Sequence, residues 1–211
     1  EELVANVRGY SVYARVSPED KIRTQTIDNF PVDVKDTAKG ITLHAGPDAN
    51  AGIEKTIEII PVKGDSFKIV HTLRNCNRWD VELAAWGITV MAPGGKAIIP
   101  MPQGDPEALL PNTFISLWPY VTLSDGRIRF GSKYTLVQQD SKCGPAKMGC
   151  NCEDGWIAYQ NKGITFIKKY EHFVDAEYPD NGCSVECYTN DQMLEIETLS
   201  PLYQLAYGEE V

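Results

Sequence analysis

The chain has 211 residues, 43% of them hydrophobic and 23% charged, which is the composition of a globular domain and excludes a disordered chain. Lys and Arg number 20 against 29 Asp and Glu, a net charge of −9 that repels phosphate and argues against a nucleic-acid partner. No apolar run approaches the roughly 18 residues of a membrane span, so no membrane partner is expected, and the length fits one domain over residues 1–211.

In chain order, strands are predicted at residues 9–16, 32–34 and 41–44. Ile53, Ile57 and Ile59 mark a period-two run at 53–59, and Phe67, Ile69, His71 and Leu73 alternate with Lys68, Val70 and Thr72. Further strands are predicted at 81–91, 96–99, 134–138, 156–159, 164–170, 183–187 and 194–197. Turn signals separate them: Lys63-Gly64-Asp65, Ala92-Pro93-Gly94-Gly95, Ser124-Asp125-Gly126, Asn161-Lys162-Gly163 and Asp180-Asn181-Gly182. Asn161-Lys162-Gly163 lies between two strand-like runs and predicts a hairpin. Asp105-Pro106-Glu107 supports a single helical turn, cut short by Pro111. Many short strands with frequent turns point to an all-β antiparallel sandwich.

The six cysteines are Cys76, Cys143, Cys150, Cys152, Cys183 and Cys187. Their spacing lacks the paired knuckles of a zinc site. Buried thiols are the leading reading and disulfides the alternative, which leaves the compartment open. Cys183 and Cys187 are four apart and are expected on one face of a strand. There is no phosphate-binding glycine loop, nucleophile elbow or metalloprotease motif. The acidic group Asp175, Glu177, Asp180 and Asn181 lacks the ordered spacing of a calcium loop. His44, His71 and His172 show no ligand spacing, so neither a metal nor a cofactor is expected.

The run HTLRN at 71–75, followed by VELAAWGITVMAPGG at 81–95, is similar to an uncharacterised bacterial family of the galactose-mutarotase-like (aldose 1-epimerase-like) superfamily. So are LWPY at 117–120, KMG at 147–149, DGW at 154–156 and LEIETLSP at 194–201, with Gly208 and Glu209 after them. The resemblance implies an antiparallel β-supersandwich that holds a mono- or oligosaccharide on one sheet face. It also implies further strands before Ser17-Pro18-Glu19. The sheet edge those strands would cover suits a second copy of the chain, so a homodimer is expected.

Better-known relatives open a pyranose ring with a glutamate base and a histidine acid, which must both reach the sugar. Glu197, in Glu197-Thr198 with Pro201 beyond, resembles the segment that carries that base. Glu195 is two residues away and shares its face, where like charge tends to raise one pKa. The acid departs from the pattern: in epimerases the histidine follows a Leu-Thr-Asn, whereas here Leu73-Arg74-Asn75 is followed by Cys76. His71 is the candidate for a displaced acid and Arg74 for a sugar ligand. Trp118, in Trp118-Pro119-Tyr120, is the candidate stacking platform. Lys147, Lys168, Lys169 and His172 could form a cationic pocket for a carboxylated or sulfated sugar. These candidates predict a carbohydrate-binding or carbohydrate-active protein with epimerase-like acid–base chemistry. The alternative is a structural or interaction module without a sugar site, since fold does not imply function.

Overall fold

The computed structural model describes the backbone of residues 4–14 and the whole of residues 31–211. The predicted strand at 9–16 is observed at Val4–Ala14, and Ser17-Pro18-Glu19 lies outside the described residues. Strand outweighs helix 49% to 2%, so the chain is all-β. In order the strands are β1 (Val4–Ala14), β2 (Asp33–Thr37), β3 (Gly40–Ala45), β4 (Ile53–Pro61), β5 (Phe67–Asn75), β6 (Val81–Met91), β7 (Lys96–Pro100) and β8 (Ile115–Leu117). There follow β9 (Ile128–Phe130), β10 (Tyr134–Gln138), β11 (Ala146–Cys150), β12 (Trp156–Asn161), β13 (Ile164–Lys169), β14 (Val185–Thr189), β15 (Leu194–Leu199) and β16 (Tyr203–Leu205).

The chain divides into two compact units, one of residues 1–8 and 87–201, the other of residues 9–86 and 202–211. The first unit contains the five-stranded sheet β13-β12-β7-β10-β9 and the β15-β14-β11-β8 portion of a seven-stranded sheet. The two pack through one core that includes Ile99, Val137, Met148, Ile157, Tyr159, Val185, Cys187, Leu194 and Ile196. Each of the larger side chains contributes about 1.5–3 kcal/mol by leaving water. The period of two explains this core: Met148, Cys187 and Ile196 are in register across β11, β14 and β15 and all turn inward. The expected hairpin closes β12 onto β13 through Lys162 and Gly163, both at positive φ (49° and 79°), the backbone of a two-residue primed turn.

The second unit holds the four-stranded sheet β2-β3-β4-β5. Ile53, Leu73, Leu83 and Leu205 form its core. The side-chain amide of Asn75 donates to the Trp79 and Leu205 carbonyls, both at 2.9 Å. The backbone at Leu73 exchanges two hydrogen bonds with Val211, which closes that edge.

Two local expectations change. Asp105-Pro106-Glu107 forms a turn in which the Asp105 carboxylate accepts from the Glu107 N–H, with no helix after it. The strand predicted at 183–187 starts at Val185, because Asp180 and Asn181 adopt left-handed backbone (φ 51° and 66°) just before it. Cys183 therefore precedes the pleat and does not share a strand face with Cys187. All six cysteines are free thiols.

Candidate functional site

The site grows from the register of three strands. Gly149 of β11 lies across from Glu186 of β14, which lies across from Glu197 of β15. One row along, Lys147 faces Tyr188, which faces Glu195. These six residues share the sheet face opposite the core, since their neighbours Met148, Cys187 and Ile196 point inward.

Lys147 joins the two rows. Its Nζ lies 2.6 Å from Glu186 Oε2 and 2.8 Å from Glu197 Oε2. The Trp118 ring covers the ammonium, with its centroid 4.7 Å away, a cation–π contact. Trp118 follows β8 directly, and β8 pairs with β11, so the sheet itself carries the indole to this place. Glu197 is 0% exposed, Glu186 1% and Lys147 7%. Desolvating three charges costs several kcal/mol each, offset only by tight pairing.

The electrostatics follow from that burial. Burial pushes the Glu186 carboxyl well above the usual carboxylate range, and Glu197 pushes it further, with Lys147 opposing both. Burial works against the Lys147 charge, but Glu197 and Glu186 outweigh it and hold the ammonium pKa above its ordinary value. The phenol of Tyr120 is raised by burial and opposed by Lys147, which places it within the field of the cluster.

Gly149 makes room for this arrangement. A Cβ there would stand 2.7 Å from Cys183 Sγ and 3.1 Å from Glu186 Cγ, so glycine alone lets Glu186 lie over β11. The left-handed turn is tied to β8 where Ser116 Oγ donates to the Asp180 carbonyl at 2.7 Å. That turn delivers Cys183 beneath Glu186, and burial pushes its thiol up to about 12.

Of the residues predicted from sequence, Glu197, Glu195, Lys147 and Trp118 fall on this one face. The others lie elsewhere. His71 and Arg74 are on β5 in the second unit; His71 is half-buried across from Ile57, and the Arg74 Nε donates to the Gly208 carbonyl at 3.3 Å. Lys168 and Lys169 are adjacent on β13 and point to opposite faces. Lys168 lies across from Ile157 of the core, and Lys169 is exposed across from Trp156. His172 stacks on Tyr178, ring centroids 4.9 Å apart and 5° from parallel, and burial lowers its pKa. Within the expected cationic pocket, Lys147 is paired with two glutamates, and the pleat turns Lys168 and Lys169 to opposite faces. Glu186, Tyr188 and Gly149 were not predicted from sequence. The signal for the first two is the alternation of Val185 and Cys187 with Glu186 and Tyr188.

A cavity of about 370 Å³ lies on the five-stranded sheet, lined by Lys96, Asp125, Arg127, Arg129 and Asp140 among others. Each nitrogen of its Arg127 is already engaged, with Nε and one terminal nitrogen on the Asp125 carboxylate and the other on the Gly144 carbonyl. This leaves the Lys147 cluster as the better candidate for chemistry. Among the described residues, no group of three or more His, Cys, Asp or Glu side chains is placed to hold a metal. No described helix is long and apolar enough to cross a membrane.

No family model matches the chain, and no curated protein matches it in sequence. Among solved structures it is similar to a galactose mutarotase-like protein from Lactobacillus casei. That similarity has a TM-score of 0.51 at 10% identity and covers 89% of this chain and 72% of the other. The chain has the galactose-mutarotase-like fold.

Proposed function

We propose that this galactose-mutarotase-like chain binds a mono- or oligosaccharide on the polar face of β11, β14 and β15, with Glu197 as the proton acceptor of an aldose-epimerase-like reaction. The observation that carries the reading is the Lys147–Glu186–Glu197 cluster beneath the Trp118 ring. Buried charge that contributes little to stability is characteristic of functional sites, and an indole beside it offers the flat apolar surface a sugar ring stacks on. The Lys147 ammonium, 2.8 Å from Glu197 Oε2, pairs with it and fixes its position.

Ligand-observed NMR with neutral hexoses, 6-deoxyhexoses and uronates tests this reading, because it reports binding and anomer exchange together. Accelerated exchange of one sugar that is lost in Glu197→Gln supports it. Unchanged exchange in that variant removes Glu197 from the reaction. Binding that weakens in Trp118→Ala supports the platform. Sugar binding without exchange is the second reading, favoured by Cys76 at the place where epimerases carry their histidine. Silence across the panel favours an interaction module.

A further inference from the structure

We propose that Glu186 is the general acid of this site, donating the proton that an epimerase histidine otherwise supplies; the inference rests on the epimerase reading of the same face. Three features of its geometry lead there. Glu186 is 1% exposed and directly opposite the candidate base Glu197. Both carboxylates touch one Lys147 nitrogen through their Oε2 atoms, at 2.6 and 2.8 Å, so their oxygens are close enough to bracket a single small polar group. The second oxygen, Glu186 Oε1, is buried with no hydrogen-bond partner.

That last atom decides the role. A buried polar atom without a partner costs about 1–3 kcal/mol, so its presence calls for an explanation. Oε2 already accepts from the Lys147 ammonium, so a proton on Glu186 belongs on Oε1. A protonated Oε1 is a donor waiting for an acceptor. A pyranose hemiacetal offers a donor and an acceptor on the same carbon: the anomeric hydroxyl and the ring oxygen. Glu197 takes the hydroxyl proton, the electron pair forms the carbonyl, the bond from C1 to the ring oxygen breaks, and that oxygen receives the Oε1 proton. Ring closure on the other carbonyl face returns both protons, so nothing is oxidised and no co-reactant is consumed.

Charge balance supports the same state. One ammonium and one carboxylate form a neutral pair; a second ionised carboxylate would leave a net buried negative charge. Lys147 is the poorer acid of the two, since both carboxylates favour its charged form. The groups facing Glu186 are Lys147 on β11, Glu197 on β15, and Asp180 and Cys183 in the turn before β14; burial raises the Glu186 pKa, Lys147 opposes it, and Glu197 and Asp180 add to the effect of burial.

The test has two parts on the full chain. In protein labelled with ¹³C at the glutamate carboxyls, one resonance is expected at the protonated position at neutral pH and is expected to vanish in Glu186→Gln. A Glu186 resonance at the ionised position overturns the proposal. In anomer exchange, Glu186→Gln is expected to lose about 10²–10⁴-fold in rate while still binding sugar, the usual contribution of a positioned acid. Native-like thermal unfolding of this isosteric variant separates that loss from misfolding. Exchange that collapses in Glu197→Gln but persists in Glu186→Gln overturns Glu186 alone. A wild-type protein that accelerates no sugar overturns the epimerase reading and this inference together.

Discussion

Glu186 and Glu197 stand directly opposite each other on β14 and β15, and neither reaches solvent. Two buried carboxyl groups in that position are tolerated because the Lys147 ammonium lies 2.6 and 2.8 Å from them. Stability and the proposed chemistry therefore depend on the same three side chains.

Lys147→Met removes the shared cation and leaves two buried carboxylates without it. The variant is expected to lose about 3–5 kcal/mol at neutral pH in urea denaturation. An unchanged urea midpoint at neutral pH would show that the cluster is not buried in solution.

Gly149→Ala places a methyl 2.7 Å from Cys183 Sγ and 3.1 Å from Glu186 Cγ. Overpacking of this kind costs about 1–3 kcal/mol. Adding Cys183→Ala removes the nearer atom and is expected to recover part of the loss. Strictly additive effects of the two substitutions would contradict the close approach.

Lys168 is half-buried along its stem, while its ammonium is enclosed and donates to the Gly87 carbonyl at 2.7 Å. Burial pushes its pKa down to about 8, with Glu197 opposing. Between that value and the ordinary 10.5 the folded chain binds fewer protons here than the unfolded chain. This residue therefore makes stability rise with pH across that window, and its contribution disappears as pH falls through 8. Urea midpoints at pH 7 to 10.5 are expected to differ in slope between wild type and Lys168→Met. Identical slopes would place the ammonium in water.

Cys76 and Cys143 are half-buried, while Cys150, Cys152, Cys183 and Cys187 are buried. Burial also raises the pKa of those four, which removes the reactive thiolate. Ellman titration is expected to find two reactive thiols in the native protein and six in denaturant. Fewer than six in denaturant would indicate a disulfide.

The sequence made part of this site legible. The alternation Leu194-Glu195-Ile196-Glu197 places both glutamates on one face, because a strand against a core must turn its apolar residues inward. It could not choose Glu197's partner. Glu195 is nearer in sequence, but cross-strand register brings Glu186 opposite Glu197, and register depends on turns elsewhere in the chain. Glu186 was further hidden by Cys183 and Cys187, whose even spacing read as one strand face until the left-handed pair Asp180 and Asn181 broke the pleat. In β11, Ala146, Met148 and Cys150 alternate with Lys147 and Gly149 over five residues, too short a pattern to stand out. His71 illustrates a different limit: a period of two assigns a face of one strand, not membership of a unit, and β5 belongs to the second unit.

Each compact unit is assembled from two separate stretches of chain, and this governs the order of folding. Asn75 must wait for Leu205, 130 residues later, before its amide is satisfied, and Leu73 must wait for Val211. During synthesis the four-stranded sheet emerges well before Val211, and its edge stays open until that residue follows. Contacts this distant in sequence slow folding and lengthen the time for which apolar strands stand exposed. Any fragment that stops short of Leu205 leaves this unit unfinished.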